Sequence, residues 1–186
     1  MAFDGAGNLH VTHWTGAATP GDTVARFDPA GTLLGTFGGG YNENPESIVF
    51  TASGNAYVAQ ADGTQDVLKF DPSGNLVGSF DVTIEHRGSD GVELAPDGCT
   101  LLYTSRDNNV LQYDVRGGVQ LPSFNRLSLP GTAGFSLRLL PDGGLVVADL
   151  ELIVRLDASG GLVRTYDVPG EPDLWIGLDA VADGTF

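Results

Sequence analysis

Positive charge is scarce in this chain of 186 residues: one lysine and eight arginines face 24 carboxylates, for a formal net charge of −15. Nucleic acid and anionic membrane surfaces require a basic footprint, so the composition argues against both as partners. Cysteine is scarcer still. Cys99 stands alone, so no intrachain disulfide closes the fold. Its acidic neighbourhood does not favour a reactive thiolate, and it reads as a small buried hydrophobe. No apolar run approaches the ~18 residues of a membrane span. No window of about 11 residues carries the i, i+3, i+4, i+7 pattern of an amphipathic helix, so no helices are expected. The opening Met1-Ala2-Phe3-Asp4 lacks the basic and apolar leader of a secretory signal.

What the chain does have is glycine at fixed intervals. Phe27-Asp28-Pro29-Ala30-Gly31, Phe70-Asp71-Pro72-Ser73-Gly74, Tyr113-Asp114-Val115-Arg116-Gly117 and Leu156-Asp157-Ala158-Ser159-Gly160 repeat one plan, their glycines 43 residues apart at 31, 74, 117 and 160. A fixed period of this length marks a stacked or radial repeat. Within one period the apolar runs are short and bounded by turn residues. Ser47–Phe50, Ala56–Ala59, Val67–Phe70 and Leu76–Phe80 are separated by Thr51-Ala52-Ser53-Gly54-Asn55, a polar loop from Gln60 to Asp66, and Asp71-Pro72-Ser73-Gly74. Four or five residues rich in β-branched and aromatic types between such clusters read as antiparallel strands.

The first hairpin turn recurs as Gly5-Ala6-Gly7-Asn8, Ser53-Gly54-Asn55, Pro96-Asp97-Gly98, Pro141-Asp142-Gly143 and Asp183-Gly184. Five first turns and four second turns give four complete units and the start of a fifth. A repeating unit of four antiparallel strands in ~40–45 residues is a β-propeller blade. The expected fold is therefore all-β, a single propeller over 1–186, with blades near 1–42, 43–87, 88–130 and 131–172 and an incomplete one at 173–186. Blades pack face to face, so both faces of each sheet should be apolar, as runs such as Leu145-Val146-Val147 suggest. The chain reads as part of a longer, six-bladed propeller whose missing blades are its first partners. A tight four-blade ring and closure by oligomerisation are the alternatives. The turn aspartates Asp4, Asp28, Asp71, Asp97, Asp114, Asp142, Asp157 and Asp183 are expected to cap their own backbone rather than bind metal.

Pro45-Glu46-Ser47-Ile48-Val49-Phe50 through Phe80, with its Gly-Asn turn and Phe-Asp-x-x-Gly close, resembles the NHL repeat. It also resembles the wider six-bladed group of gluconolactonases (SMP-30-like) and streptogramin lyases. The likeness runs over the whole chain. Ser89-Asp90-Gly91, followed by Pro96-Asp97-Gly98 and Leu102-Tyr103-Thr104, is similar to the gluconolactonase stretch in which an Asn binds a divalent metal over the central channel. Asp90 stands at that Asn. The resemblance thus implies a cation, Ca²⁺ or else Mg²⁺ or Zn²⁺, with Asp90 and Glu46 as its ligands. The Glu-Gly-Pro opening and the Trp-Phe-Thr-Glu repeat of the two enzyme types are absent, and Thr132-Ala133-Gly134-Phe135 stands where a catalytic acid is expected.

In a propeller the loops between blades share one face with those between second and third strands, and loops carry function more often than sheets. That face should hold His13, Trp14, Glu46, His86, Arg87, Asp90 and Trp175 as the ligand-binding set, with Tyr41, Asp62, Glu85, Arg106, Asp107 and Asp173 around them. Glu46 and Asp90 each precede their blade's first-turn glycine, Gly54 and Gly98, by eight positions, so they should be equivalent points at the channel mouth. Two carboxylates there are suited to hold a cation or to raise one another's pKa, and solvated loop acids are the plainer alternative. His86 is suited to act as a base or an anion contact, and Trp14 and Trp175 to stack on a sugar or peptide or to pack between blades. Five positions before the turn glycine stand Glu93, Arg138 and Asp179, expected to form a ladder of ion pairs between blades.

Two functions follow. The first is a non-catalytic scaffold, extracellular or periplasmic, that needs no cofactor and binds protein or glycan through its loop face. The second is a divalent-metal-dependent lactonase, hydrolase or lyase with its site at the channel mouth.

Overall fold

The computed structural model describes residues 1–15, 21–171, 174–181 and 183–186. Among the described residues, sixteen strands form four antiparallel sheets, each assembled from four strands consecutive in the chain. The first blade holds β1 (Ala2–Phe3), β2 (Leu9–Thr12), β3 (Val24–Phe27) and β4 (Leu33–Thr36). The second holds β5 (Pro45–Phe50), β6 (Ala56–Gln60), β7 (Val67–Phe70) and β8 (Leu76–Phe80). The third holds β9 (Val92–Leu94), β10 (Thr100–Thr104), β11 (Val110–Asp114) and β12 (Val119–Leu121). The fourth holds β13 (Ser136–Leu139), β14 (Leu145–Asp149), β15 (Leu152–Leu156) and β16 (Leu162–Tyr166). After β16, Trp175 makes an antiparallel bridge to Leu150 and the chain turns again between Val181 and Thr185. No helix occurs among the described residues.

The second strand of each blade explains how the sheets stack. Successive side chains of a strand point to opposite faces, so one strand can feed two interfaces. On β6, Ala56 and Val58 join a cluster with Val24, Phe37, Tyr41, Ile48 and Phe70, between the first two blades. Tyr57 and Ala59 face the other way and pack with Val92, Leu101, Tyr103 and Tyr113, between the second and third. Leu102 turns from that cluster to Val110, Leu137, Leu145, Val147 and Val154. Every residue of β6 and β14 is buried. The outermost strand departs from the expectation of two apolar faces. Leu76 on β8 and Leu162 on β16 are 49% and 56% exposed. Wedge-shaped blades diverge outward, so a neighbour cannot reach that edge.

All eight turn aspartates cap their own turns. Oδ1 of Asp4, Asp28, Asp71, Asp97, Asp114, Asp142, Asp157 and Asp183 accepts the backbone N–H two residues on. Such a bond, from Thr185 N–H, holds Asp183 below the usual carboxylate range, and the Ser159 hydroxyl, ahead of the backbone bonds, does the same for Asp157. The repeated glycines 31, 74 and 160 adopt φ of +83°, +84° and +76°, which L side chains avoid. In the third blade it is Gly118, not Gly117, that takes positive φ, at +66°. The double glycine lengthens this turn by a residue: Gly118 N–H donates to Asp114 O, and the register shift seen in the other three outer hairpins is absent. Cys99 is half-buried rather than buried, because its hairpin corner leaves one side to water. Its Sγ donates to Asp97 O at 3.2 Å.

The inner strands surround the channel, with β5 packed against β1, β2 and β9, and β9 against β13. The expected ladder lies along it. Arg138 reaches Glu93 of the preceding blade at 3.3 Å through Nη1 and Asp179 of the following segment at 3.4 Å through Nε. Burial raises the Glu93 carboxyl against the pull of Arg138.

Candidate functional site

Position along the repeat sets the ring of residues at the channel mouth. Glu46, Asp90, Phe135 and Ile176 each precede a first-turn glycine (54, 98, 143 and 184) by eight residues, and all four line one funnel of ≈ 670 Å³. Trp14, Ser47, Gly91, Arg106, Ser136 and Arg138 complete much of its wall. Gly91 is needed there because a Cβ would lie 2.6 Å from Phe135 O, where the third and fourth blades meet.

Arg106 occupies the middle of this ring. Its Nε donates to Asp90 Oδ2 at 2.7 Å, its Nη2 reaches Glu46 Oε1 and Oε2 at 3.3 and 3.2 Å, and its guanidinium lies 5.0 Å from the Phe135 ring centroid. One cation therefore contacts equivalent positions on three successive blades. Local backbone geometry brings the groups together. Arg106 follows β10 with φ +50°, a left-handed conformation uncommon for a side chain of this size. Glu46 sits at an irregularity in the β5–β6 pairing, where Pro45 faces Gln60 and Ser47 faces Ala59, leaving Glu46 without a partner. Such a bulge re-aims its side chain. Thr12 Oγ1 fixes the bulge by donating to Glu46 O at 2.8 Å. Thr104, at the matching place in the third blade, holds both sides of the next junction: its Oγ1 accepts from Gly91 N at 3.0 Å and donates to Phe135 O at 2.6 Å.

The three charges are unequally buried, with side-chain exposures of 1% for Asp90, 16% for Arg106 and 26% for Glu46. Burial and then the Glu46 charge push the Asp90 carboxyl up to about 8, against the opposing pull of Arg106. Burial thus favours the protonated form of Asp90 more than an unfolded chain would, while the Arg106 bond favours the carboxylate. A metal-ligand role fits this arrangement poorly. Glu46 and Asp90 converge, but on a guanidinium whose charge would repel a divalent ion at the same spot. No group of three or more His, Cys, Asp or Glu side chains placed to hold a metal occurs among the described residues.

The other residues expected on this face have separate surroundings. Arg87 pairs with Asp62, Nε to Oδ1 at 2.8 Å and Nη2 to Oδ2 at 2.6 Å, and the Arg87 bond comes first in holding the Asp62 carboxyl low. Asn44 Nδ2 adds a bond to Asp62 Oδ2 at 2.9 Å, while Asn44 Oδ1 accepts from Gly21 N at 2.7 Å. Arg87 is thus a brace joining three loops, and it does not line the funnel. His13 and His86 are exposed and outside the funnel wall, His13 Nδ1 lying 3.5 Å from Thr23 Oγ1. Trp14 is 46% exposed and does line the funnel. Trp175 is half-buried and joins the fourth blade through its backbone N–H to Leu150 O at 2.8 Å. Tyr41 is core, its hydroxyl donating to Phe37 O at 2.9 Å. Asp173 lies outside the described residues. Loop reading places Arg106 on this face but gives it no role, since an arginine in a loop of blade-specific length has no repeat position to compare.

No protein-family model matches the chain, and no curated protein matches it. Solved structures do. The WD40 β-propeller domain of Doa1 superposes with a TM-score of 0.75 at 15% identity, covering 98% of this chain and 56% of that one. A gluconolactonase, XC5397 from Xanthomonas campestris, gives 0.70 at 16% identity, covering 90% of this chain and 61% of that one. A protein of unknown function from Bacteroides caccae gives 0.66 at 18%, covering 87% and 64%. The chain has the β-propeller fold. It spans roughly three-fifths of the length of these structures, from 56% to 64%.

Proposed function

We propose that this chain is a non-catalytic binding module, a propeller that presents its loop face and channel mouth to a protein or glycan ligand. The observation that supports this reading is Arg106, seated between the two carboxylates that a metal-dependent enzyme of this architecture would need free. A general acid–base pair is also disfavoured, because both acids are engaged by the same guanidinium. Trp14 at the rim supplies an exposed aromatic surface of the kind that interfaces use as anchors.

Titration calorimetry with Ca²⁺, Mg²⁺ and Zn²⁺, paired with an assay of δ-lactone hydrolysis, tests the reading. The expected result is no saturable heat and no turnover above buffer. Stoichiometric binding of any of the three ions, abolished by Asp90→Ala and accompanied by lactone turnover, would establish the metal-dependent hydrolase instead.

A further inference from the structure

One core position of the repeat carries an imidazole where the other blades carry tyrosine, leucine or valine. His10, Tyr57, Leu102 and Val146 pair across the inner strands with Ala2, Val49, Glu93 and Arg138, each five places before its blade's first-turn glycine. All four are buried, His10 to 1% exposure. The imidazole lies at the junction of the first two blades, edge-on to Phe37 and Phe50 with ring centroids 4.8 and 4.7 Å away. Its Nε2–H donates to Asp4 Oδ2 at 3.2 Å, and its Nδ1 is buried without a partner among the described residues. Such contacts hold the ring as one neutral tautomer. A second proton would sit on Nδ1 beside aromatic carbon, a buried charge without an acceptor.

The charged groups that face the ring come from two elements. Asp4, in the β1–β2 turn, favours the imidazolium, but its oxygens already accept Ala6 N–H, Asn8 N–H and Asn8 Nδ2. Arg26, the cross-strand partner on β3, disfavours it and has its own Nε buried and unpaired. The second blade packs Ile48, Phe50 and Phe70 against this cluster, none charged, and the Tyr41 hydroxyl is taken up by Phe37 O. Burial, ahead of the opposing Asp4 bond, keeps the imidazole below its ordinary value.

We propose that His10 is an acid trigger for the first blade: a proton on Nδ1 unseats the β1–β4 sheet from the second blade while the other junctions stay closed. The channel mouth is disassembled with it. Thr12, on β2, fixes the Glu46 bulge, and Trp14, in the loop that follows, walls the funnel. An unseated His10 takes up its proton near pH ~6.5, whereas the seated ring refuses it until lower pH. The junction is therefore at full strength above about pH 6.5, and each unit below favours the unseated blade by up to about tenfold, one proton being bound. In the later blades the trend is reversed: burial raises the carboxyls of Glu93 and Asp149, and a carboxyl raised in the fold stabilises it as pH falls. The trigger is independent of what the mouth binds.

Amide hydrogen exchange of the whole chain, compared at about pH 7.5 and 5.5 after correction for intrinsic rates, reads each blade separately. Protection of β2 and β3 is expected to fall by up to about tenfold, and that of β14 and β15 to hold or rise. His10→Leu, which installs the third blade's residue, should remove the loss. Imidazole NMR of the unaltered chain should show His10 still predominantly neutral at about pH 6, a reading that keeps the test valid if the variant misfolds. Equal loss of protection in the first and fourth blades, or a loss retained in His10→Leu, would overturn the proposal. So would a His10 ring that gains its second proton at or above about pH 6.5 with β2 still protected.

Discussion

Arg106→Ala is expected to destabilise the chain by about 3 kcal/mol, the low end of the ~3–5 kcal/mol observed when one partner of a buried ion pair is removed. The substitution leaves Glu46 and Asp90 converging on the channel with nothing between them, and it strips the Phe135 ring of its cation. The low end is chosen for two reasons. Asp90 holds its proton more firmly once the guanidinium is gone, and Glu46 is 26% exposed, so water takes up part of the lost pairing. In a domain of this size ~1 kcal/mol moves the melting temperature by about 2–4 °C. Differential scanning calorimetry should therefore show a drop of about 6–12 °C. Asp90→Asn in the Arg106→Ala background removes the carboxyl that must stay protonated and should recover part of that loss. An Arg106→Ala melt within about 1 °C of the parent would mean that the three groups do not act as a unit.

Gly160→Ala is expected to be comparably damaging, for an unrelated reason. At φ +76° a side chain costs about 1–2 kcal/mol. The added Cβ would also overlap Phe124 O and meet Asn125 Cα, both backbone atoms of the preceding blade. That backbone cannot yield freely, since Arg126 N–H donates to Gly160 O and Phe124 N–H to Val110 O. Forcing atoms into a packed junction adds about 1–3 kcal/mol, for a total near 2–5 kcal/mol. Gly31→Ala is the control. Its φ is +83°, but a Cβ there meets nothing within 4 Å, so only the conformational cost of about 1–2 kcal/mol should appear. Gly74 stands between them, with Gly38 N 2.9 Å from its would-be Cβ. Urea denaturation of the three variants should follow the order Gly160, Gly74, Gly31. Equal losses would show that the glycines serve only the turn and not the contact between blades.

The same glycines show how far the sequence could be read. Their spacing reveals the repeat because each blade must turn at the same point, and in the second and fourth blades that turn packs against its predecessor. The third copy misleads by one residue, since Gly117 and Gly118 both stand at the corner and only backbone angles distinguish them. Register carries further than turns. Counting back from the first-turn glycine pairs Glu93 with Arg138 and Asp179, and places Glu46 beside Asp90, because strands from equivalent blades meet the channel at equivalent heights. The same count places Phe135 and Ile176 at the mouth, a consequence visible only once all four line one funnel.

Loop contacts escape this arithmetic. The β2–β3, β6–β7, β10–β11 and β14–β15 loops differ in length from blade to blade, so nothing in the spacing shows that Arg106 folds back over Glu46 and Asp90, or that Arg87 closes on Asp62. The bulge that aims Glu46 is equally silent, being a backbone irregularity without a glycine to announce it. Where a resemblance suggests a cation between two acids, the chain supplies one of its own.

The measurement that bears most directly on that claim is NMR detection of the Arg106 Nε–H. A guanidinium clamped by Asp90 and Glu46 and covered by Phe135 should give a resolved Nε–H resonance at neutral pH. That resonance should exchange slowly with water and shift in Asp90→Asn and in Glu46→Gln. A resonance that exchanges as fast as that of the exposed Arg116, and that neither substitution moves, would contradict the account.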